Sequence, residues 1–229
     1  MKYVLEVCLM ALAAGSLVSS TAAQTPAMQQ GVSVELVTTR NASPMPEADS
    51  EDAFIVAVTE NSSVYLGVNL ITVSELTEKA RSTPIRRGQA IYIKADARTR
   101  YASVLPVLQA TSGVIPQVLL TSQSAPAESN GMVLPEGLNV SVGSTVPAGT
   151  VATVVQLLPS VQGRPVLRIN NDETSWSALE STLRRHFQKG DEKTVLLRAD
   201  TRLPFAEIVH VIDACSAAGA IVHLAAPGI

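Results

Sequence analysis

The stretch "YIKADARTRY" at Tyr92–Tyr101 returns as "LLRADTRLPF" at Leu196–Phe205, 104 residues further along the chain. Each copy runs an apolar, strand-like segment into the pair Ala-Asp, then an arginine, then an aromatic residue, at the same spacing. The surroundings repeat as well. "GVSVELV" from Gly31 and "GLNVSVG" from Gly137 both alternate apolar and polar residues, the period of a half-buried strand. Internal repetition constrains the fold more than any other feature, because whatever unit the first copy builds the second must build too.

Between these landmarks the two halves share an order of elements. "ITVSELTEKARS" predicts a helix capped by Thr72, with Glu75 three residues on completing a capping box and Leu76 and Ala80 on one face. Its counterpart "TSWSALESTLRRHF" offers Ser175 or Ser177 as the cap, a box from Ser177 to Glu180, and a stripe of Leu179, Leu183 and Phe187. Strands follow at 90–96 and 194–200. A second helix comes next, with Phe205, Ile208, Val209, Ile212 and Cys215 at helical spacing in the later copy and Tyr101, Val104, Leu105 and Leu108 in the earlier one. Pro106 predicts a bent or shortened helix there, since a proline inside a helix removes a hydrogen bond. Gly113 and Gly219 mark the helix ends, and "PQVLLT" and "AIVHLA" close the units as strands. The polar "TENSS" between two apolar runs reads as a hairpin in the first copy; the second copy shows no clear equivalent. The expected architecture is α/β of the two-layer α+β kind. It comprises two tandem small domains, 31–122 and 137–229, each a mixed sheet against two helices, joined by the Ser-, Pro- and Gly-rich linker 123–136.

Composition fits that reading. The chain has 229 residues, room for one or two domains of roughly 100 to 150 residues each, and aromatics make up only 3% of it, so the core must come from Val, Leu, Ile and Ala. A net charge of −3 without a long basic run gives nucleic acid nothing to bind, because that affinity rests on clustered Lys and Arg.

The opening "MKYVLEVCLMALAAGSLVSSTAAQ" has Lys2, an apolar stretch from Val7 to Val18, and small residues ending Thr21-Ala22-Ala23. That is the layout of a signal peptide over residues 1–23, cleaved after Ala23. The other reading is an uncleaved, degenerate membrane anchor, for which about 20 apolar residues are wanted; this span carries Glu6 and several serines. Both readings place the rest of the chain outside the cytoplasm. With the leader gone, Cys215 is the one remaining thiol and sits in an apolar helical run, the setting of an inert, buried cysteine.

The run "QGVSVEL", the alternating hairpin, "SELTEKA" and "IYIKADARTRYASVLPVLQATSGVIPQVLLT", with "LLRADTRLPFAEIVHVIDACSAAGAIVHL" in the second copy, resembles the periplasmic domain of the ExbD/TolR family of biopolymer transport proteins. The resemblance covers most of the chain after residue 30. It implies an accessory subunit of a proton-driven inner-membrane motor, working with an ExbB/TolQ-like membrane protein and a TonB/TolA-like transducer, contacting peptidoglycan or forming a homodimer. Family members carry an aspartate in a transmembrane helix that reads Asp-Val-x-Leu; Glu6-Val7-Cys8-Leu9 is the matching stretch here, which makes Glu6 the candidate proton-carrying carboxyl. Members usually have one such domain, and two in one chain could pair with each other as separate subunits do. The alternative function is a freely soluble periplasmic binding or scaffold protein that keeps the fold without the motor role.

Asp96, Tyr101, Asp200 and Phe205 are the family-signature residues. An aspartate at the end of a strand is where α/β folds place chemistry, but it is also the residue that satisfies the free N–H groups of a turn or helix start. The sequence places no base or second acid beside either aspartate, so the structural role is assigned. His186, His210 and His223 lack the close pairing of a zinc site, and phosphate loops and a nucleophile elbow are absent, so no catalytic residue, metal or cofactor is expected. Arg86 and Arg87, beside Arg81, and Arg184 and Arg185, with Lys189, form basic clusters at helix ends. They complement the helix dipole or serve as a docking patch for an acidic partner. Trp176 is expected to pack at a helix start. Cleavage after Ala23 predicts a mature chain beginning at Gln24, read by intact mass after cell fractionation; a full-length chain retained in the membrane would establish the anchor instead.

Overall fold

A computed structural model describes residues 32–83, 89–113, 116–123, 134–143, 151–161, 163–188 and 193–225. The first copy contains β1 (Thr38–Thr39), β2 (Ser43–Pro44), a 3-10 turn (Pro46–Asp49), β3 (Phe54–Val58), β4 (Val64–Leu66), β5 (Asn69–Ile71), α1 (Val73–Ser82), β6 (Ile91–Ala95), α2 (Tyr101–Thr111) and β7 (Gln117–Gln123). The second contains β8 (Glu136–Gly143), β9 (Thr153–Leu158), β10 (Val166–Ile169), β11 (Asp172–Thr174), a 3-10 turn (Trp176–Ala178), α3 (Leu179–Phe187), β12 (Thr194–Ala199), α4 (Phe205–Ala217) and β13 (Ile221–Ala225).

Among the described residues the strands form one 13-stranded mixed sheet, ordered β11-β10-β9-β12-β13-β8-β7-β6-β3-β4-β5, with β1 beside β7 and β2 beside β8. The order β5-β4-β3-β6-β7 from one edge repeats as β11-β10-β9-β12-β13 from the other. The two copies therefore do not stand apart on their linker; they share a sheet. Strand β8 joins them. Its first half runs antiparallel to β7, with Leu119 opposite Leu138, and its second half runs parallel to β13, with Val142 opposite Leu224.

Alternation along the strands decides which side is covered. Ile91, Ile93 and Ala95 of β6, and Val195 and Leu197 of β12, point to the helices and join a core with Leu76, Leu105, Leu108, Leu183, Ile208 and Ile212. Burying a large aliphatic side chain stabilises by roughly 1.5–3 kcal/mol, so this layer of sheet on helices carries most of the fold. The opposite face is covered in the first copy by Met45 and Ala48, which pack with Tyr92, Val118 and Ile55. No helix among the described residues is long and apolar enough to cross a membrane.

Helix α1 carries the expected capping box: Thr72 Oγ1 accepts from the Glu75 N–H at 3.2 Å and Glu75 accepts from the Thr72 N–H at 2.7 Å. Three local expectations are amended. The box from Ser177 to Glu180 does not form, because a 3-10 turn at Trp176–Ala178 leads into α3 and Glu180 instead pairs with Arg184 one turn on. The hairpin has an equivalent in the second copy after all: β9, β10 and β11 make the same antiparallel meander as β3, β4 and β5, reached through the longer connection 159–165. The first strand shrinks to Thr38–Thr39, since β8 occupies the edge of β7 that Val32–Val37 would otherwise line. Helix α2, expected to be bent or shortened, runs on through Pro106 and is the shorter of the pair, at 11 residues against 13 in α4.

The close approach of β8 to β7 depends on Gly137. A Cβ there would collide with Val118 Cγ1 and stand 3.0 Å from the Leu119 carbonyl oxygen. Overpacking of this kind costs about 1–3 kcal/mol. Gly137→Ala is expected to lower the melting temperature by several degrees in a thermal scan, whereas Gly163→Ala, where a Cβ meets nothing within 4 Å, loses only the ease of a positive φ.

Candidate functional site

The repeated Ala-Asp segments lie where β6 and β12 hand over to α2 and α4. Asp96 accepts hydrogen bonds from the Arg98 backbone N–H (3.1 Å), Arg98 Nε (2.9 Å) and Arg98 Nη2 (2.9 Å). Asp200 accepts the same three from Arg202, at 2.9, 2.9 and 2.7 Å. The Asp-x-Arg spacing thus makes one closed turn twice, with the planar guanidinium fork matched to the two carboxylate oxygens. Asp96 takes a further bond from the Glu35 N–H at 3.1 Å, which ties the chain ahead of β1 to the junction, and Arg98 also reaches Glu60 at 3.1 Å and Glu35 at 3.6 Å. The side chain of Asp96 is 4% exposed and that of Asp200 22%. The Arg98 and Arg202 side chains, more than any other influence, hold the two carboxyls down at about 2.

Beyond those turns each helix begins without a side-chain cap. The N-cap positions are Arg100 for α2 and Pro204 for α4, neither of which caps, yet the first N–H groups of a helix need acceptors. The other copy supplies them. Tyr101 N–H donates to the Leu203 carbonyl at 2.9 Å and Phe205 N–H to the Thr99 carbonyl at 2.8 Å; Ala102 N–H donates to Thr201 at 2.8 Å and Ala206 N–H to Ala97 at 3.3 Å. Arg100 and Pro204 face each other as an isolated antiparallel bridge. Residues 104 apart exchange roles in every one of these bonds, so the contact has the self-complementary logic of a two-fold interface. Tyr101 and Phe205 follow as the first helical residues and are buried to 1% and 2% exposure; burial pushes the Tyr101 hydroxyl up.

The structure therefore brings Asp96, Tyr101, Asp200 and Phe205 to one meeting point of the copies. The aspartates hold their turns, while the helix starts are capped from across the interface; pairing of the copies was expected, but this reciprocal capping was missed. Its signal was present: an arginine and a proline occupy N-cap positions that Ser, Thr, Asp or Asn usually fill.

The remaining candidates are scattered. Arg184 bonds Glu180 at 2.8 Å and the Ala217 carbonyl, and Arg185 is exposed on the same helix. Arg86, Arg87 and Lys189, like Glu6 and the whole of residues 1–31, lie outside the described residues. Trp176 leads into α3, donates Nε1–H to the Pro165 carbonyl at 2.9 Å and lies under the Arg164 guanidinium. Cys215 is buried, and burial pushes its thiol up to about 12. His186 lies on α3, His210 on α4 and His223 on β13; among the described residues no three His, Cys, Asp or Glu side chains gather as a metal site. His223 Nδ1 meets Ser141 Oγ at 2.6 Å as a cross-strand pair between β13 and β8, a contact that two residues so far apart in sequence did not announce.

A tandem α+β protein whose two signature segments bind one another is the class these observations define. The family model for biopolymer transport protein ExbD/TolR matches residues 17–125 and again residues 114–226, in keeping with a duplicated periplasmic domain. The chain belongs to the ExbD/TolR family, whose members are non-catalytic accessory proteins of biopolymer transport. No curated protein and no solved structure matches it significantly.

Because the folded carboxyls titrate below the ordinary value of 3.8, they stabilise the fold at every pH above that value, and the contribution disappears as pH falls through about 2. Asp96→Asn is expected to cost about 2 kcal/mol near neutral pH, the size of a charge-assisted hydrogen-bond set, and the more exposed Asp200→Asn less. Denaturant titrations at neutral pH and at about pH 2 check this: the gap between wild type and Asp96→Asn should close in acid.

Proposed function

We propose that this chain is an accessory component of an envelope biopolymer transport system driven by proton-motive force, acting as a non-catalytic periplasmic interaction module at or near the inner membrane. The observation that carries the reading is the double family match together with the reciprocal bonding of its two signature segments. In this reading the pairing that separate subunits otherwise make is made within one polypeptide, so the module presents itself to partners already assembled. Those partners are an ExbB/TolQ-like membrane protein and a TonB/TolA-like transducer, with peptidoglycan and a second copy of the chain as further contacts. If residues 1–23 are retained, Glu6 is the proton-carrying carboxyl.

The contact surface in this reading is an edge of the sheet, where unpaired N–H and C=O groups can accept a partner's strand. The two outer edges differ. Strand β5 presents Leu70, with Val68 beside it, at 67% and 58% exposure; β11 presents Asp172 and Glu173, charges that oppose strand addition. The β5 edge is accordingly assigned to the partner.

Cross-linking and co-isolation of the tagged chain from its own cells test the reading. Recovery of an ExbB-like protein, reduced several-fold by Leu70→Lys, is the expected result. Recovery of the chain free of any membrane partner, or undiminished co-isolation of Leu70→Lys, would overturn the motor assignment or the edge assignment respectively.

A further inference from the structure

The two copies end their antiparallel meanders differently where the chain turns into its first helix. The strand pairs fix which residues correspond. Asn69, Leu70 and Ile71 of β5 face Leu66, Tyr65 and Val64 of β4, as Asp172, Glu173 and Thr174 of β11 face Ile169, Arg168 and Leu167 of β10. The buried Leu76 and Ala80 of α1 likewise correspond to Leu179 and Leu183 of α3. Each of these residues stands 103 positions from its counterpart, one fewer than at the signature turns. Val73 therefore corresponds to Trp176, and Ser62, just ahead of β4, to Pro165.

In the second copy Trp176 bridges the gap between the turn ahead of β10 and the start of α3. Its Nε1–H reaches the Pro165 carbonyl at 2.9 Å, the Arg164 guanidinium lies 3.8 Å from the ring centroid, and Arg164 pairs in turn with Glu207 of α4 at 3.4 Å. In the first copy the smaller Val73 leaves the corresponding gap open. It is a groove of about 400 Å³ lined by Val64, Leu70, Ile71 and Val73, with Ser62 and Glu75 among its polar neighbours. Both walls are held in place: Ser62 Oγ lies 2.7 Å from Ser103 Oγ of α2, and the capping box fastens Thr72 to Glu75. Val73 and Trp176 each pack, partly buried, against the core, so the two positions are built alike and differ in the size of the side chain they carry.

We propose that the groove of the first copy seats a tryptophan side chain of the partner protein, carried on the strand that adds to β5. The second copy shows that the fold accepts an indole at this place, where it supplies one from within. The groove is continuous with the β5 edge, since Leu70 and Ile71 belong to both, so a strand paired along that edge carries its side chains past the opening. An aromatic side chain buries roughly 150–250 Å², and tryptophan is enriched among the residues that dominate binding energy. Charge selects further. Glu75 is the one charged residue lining the groove, and hydrogen bonds from the Thr72 N–H and hydroxyl hold its carboxyl below the usual value. A lysine or arginine beside the tryptophan is therefore favoured over an acid, as Arg164 lies beside Trp176 in the second copy. The inference rests on the reading of β5 as the partner's edge and adds the chemistry of the strand that edge receives: an aromatic anchor with a basic neighbour.

The test is nuclear magnetic resonance of the full, isotope-labelled chain titrated with N-acetyltryptophan amide, with N-acetylleucine amide as the control. Saturable shifts are expected at the amides of Ser63, Ile71, Val73 and Glu75, with a Kd on the order of 1 mM for so small a probe. The tripeptide Lys-Trp-Lys should bind several-fold more tightly than Glu-Trp-Glu at about 0.05 M salt, where charge pairing is least screened. Val73→Trp, which fills the groove from within as Trp176 does in the second copy, should lower the affinity for the tryptophan amide about tenfold or more while keeping the melting temperature. Ser63→Leu narrows the groove from the turn, at a position where the second copy holds Val166, and should weaken binding too; it decides the matter if Val73→Trp does not fold. Absence of saturable shifts, equal binding of the leucine amide, equal binding of the two tripeptides, or undiminished binding by the folded variants would each overturn the proposal. Co-isolation of an ExbB-like protein and its reduction by Leu70→Lys are read separately. Failure of the tryptophan probe with that result intact removes the groove and leaves the edge reading standing, whereas undiminished co-isolation of Leu70→Lys overturns the edge reading whatever the probe does.

Discussion

Two helices that cannot cap themselves hold this protein together. Arg100 and Pro204 stand at positions where a side-chain acceptor is wanted, and the N–H groups of Tyr101, Ala102, Phe205 and Ala206 find their acceptors only in the loop of the other copy. An N–H left unbonded when buried costs about 1–3 kcal/mol, so separating the copies exposes a set of such groups together with Tyr101 and Phe205. The Asp-x-Arg turns set the geometry. By locking Asp96 to Arg98 and Asp200 to Arg202 they place the carbonyls of Ala97 and Thr99, and of Thr201 and Leu203, where the opposite helix start needs them.

That reciprocity is local, and the rest of the molecule departs from it. A strict two-fold would give each last strand the same neighbours. Instead β8 belongs to both copies, pairing with β7 along its first half and β13 along its second, and β1 keeps only Thr38 and Thr39 on β7. Asp213 on α4 then anchors the displaced chain by accepting from the Asn41 N–H at 2.8 Å and the Arg40 N–H at 3.2 Å. The consequence is two unlike halves of one sheet: the first roofed on one face by an acidic segment, and the two outer edges one apolar and one acidic. Duplication in a single chain allows this, because the two copies are free to diverge where two identical subunits are not.

Much of the fold was legible before any coordinates. The period of Leu179, Leu183 and Phe187 marks the buried stripe of α3, the box from Thr72 to Glu75 marks the start of α1, and Gly113 and Gly219, both at positive φ, mark the ends of α2 and α4. These signals are local and act through a few neighbouring residues. What escaped was decided by distant pairing. Nothing in "GVSVELV" says that β8 will take its place on β7, and the meander β9-β10-β11 hides because the longer connection 159–165 stands where the first copy has its serine-rich turn, while Asn170 and Asn171, both at positive φ, stand where the first copy has Gly67 and Val68. At the site, the residues themselves were legible from their repetition, whereas their partnership was not, since a backbone carbonyl used as a cap leaves no mark on the sequence that supplies it.

Hydrogen exchange at the amides of Tyr101, Ala102, Phe205 and Ala206 tests the reciprocal capping most directly. The account predicts that all four are as slow as amides in the middle of α2 and α4, and that those of Tyr101 and Phe205 open together, because each depends on the same contact. Exchange of these four at the rate of an uncapped first turn, with the helix interiors still protected, would contradict it.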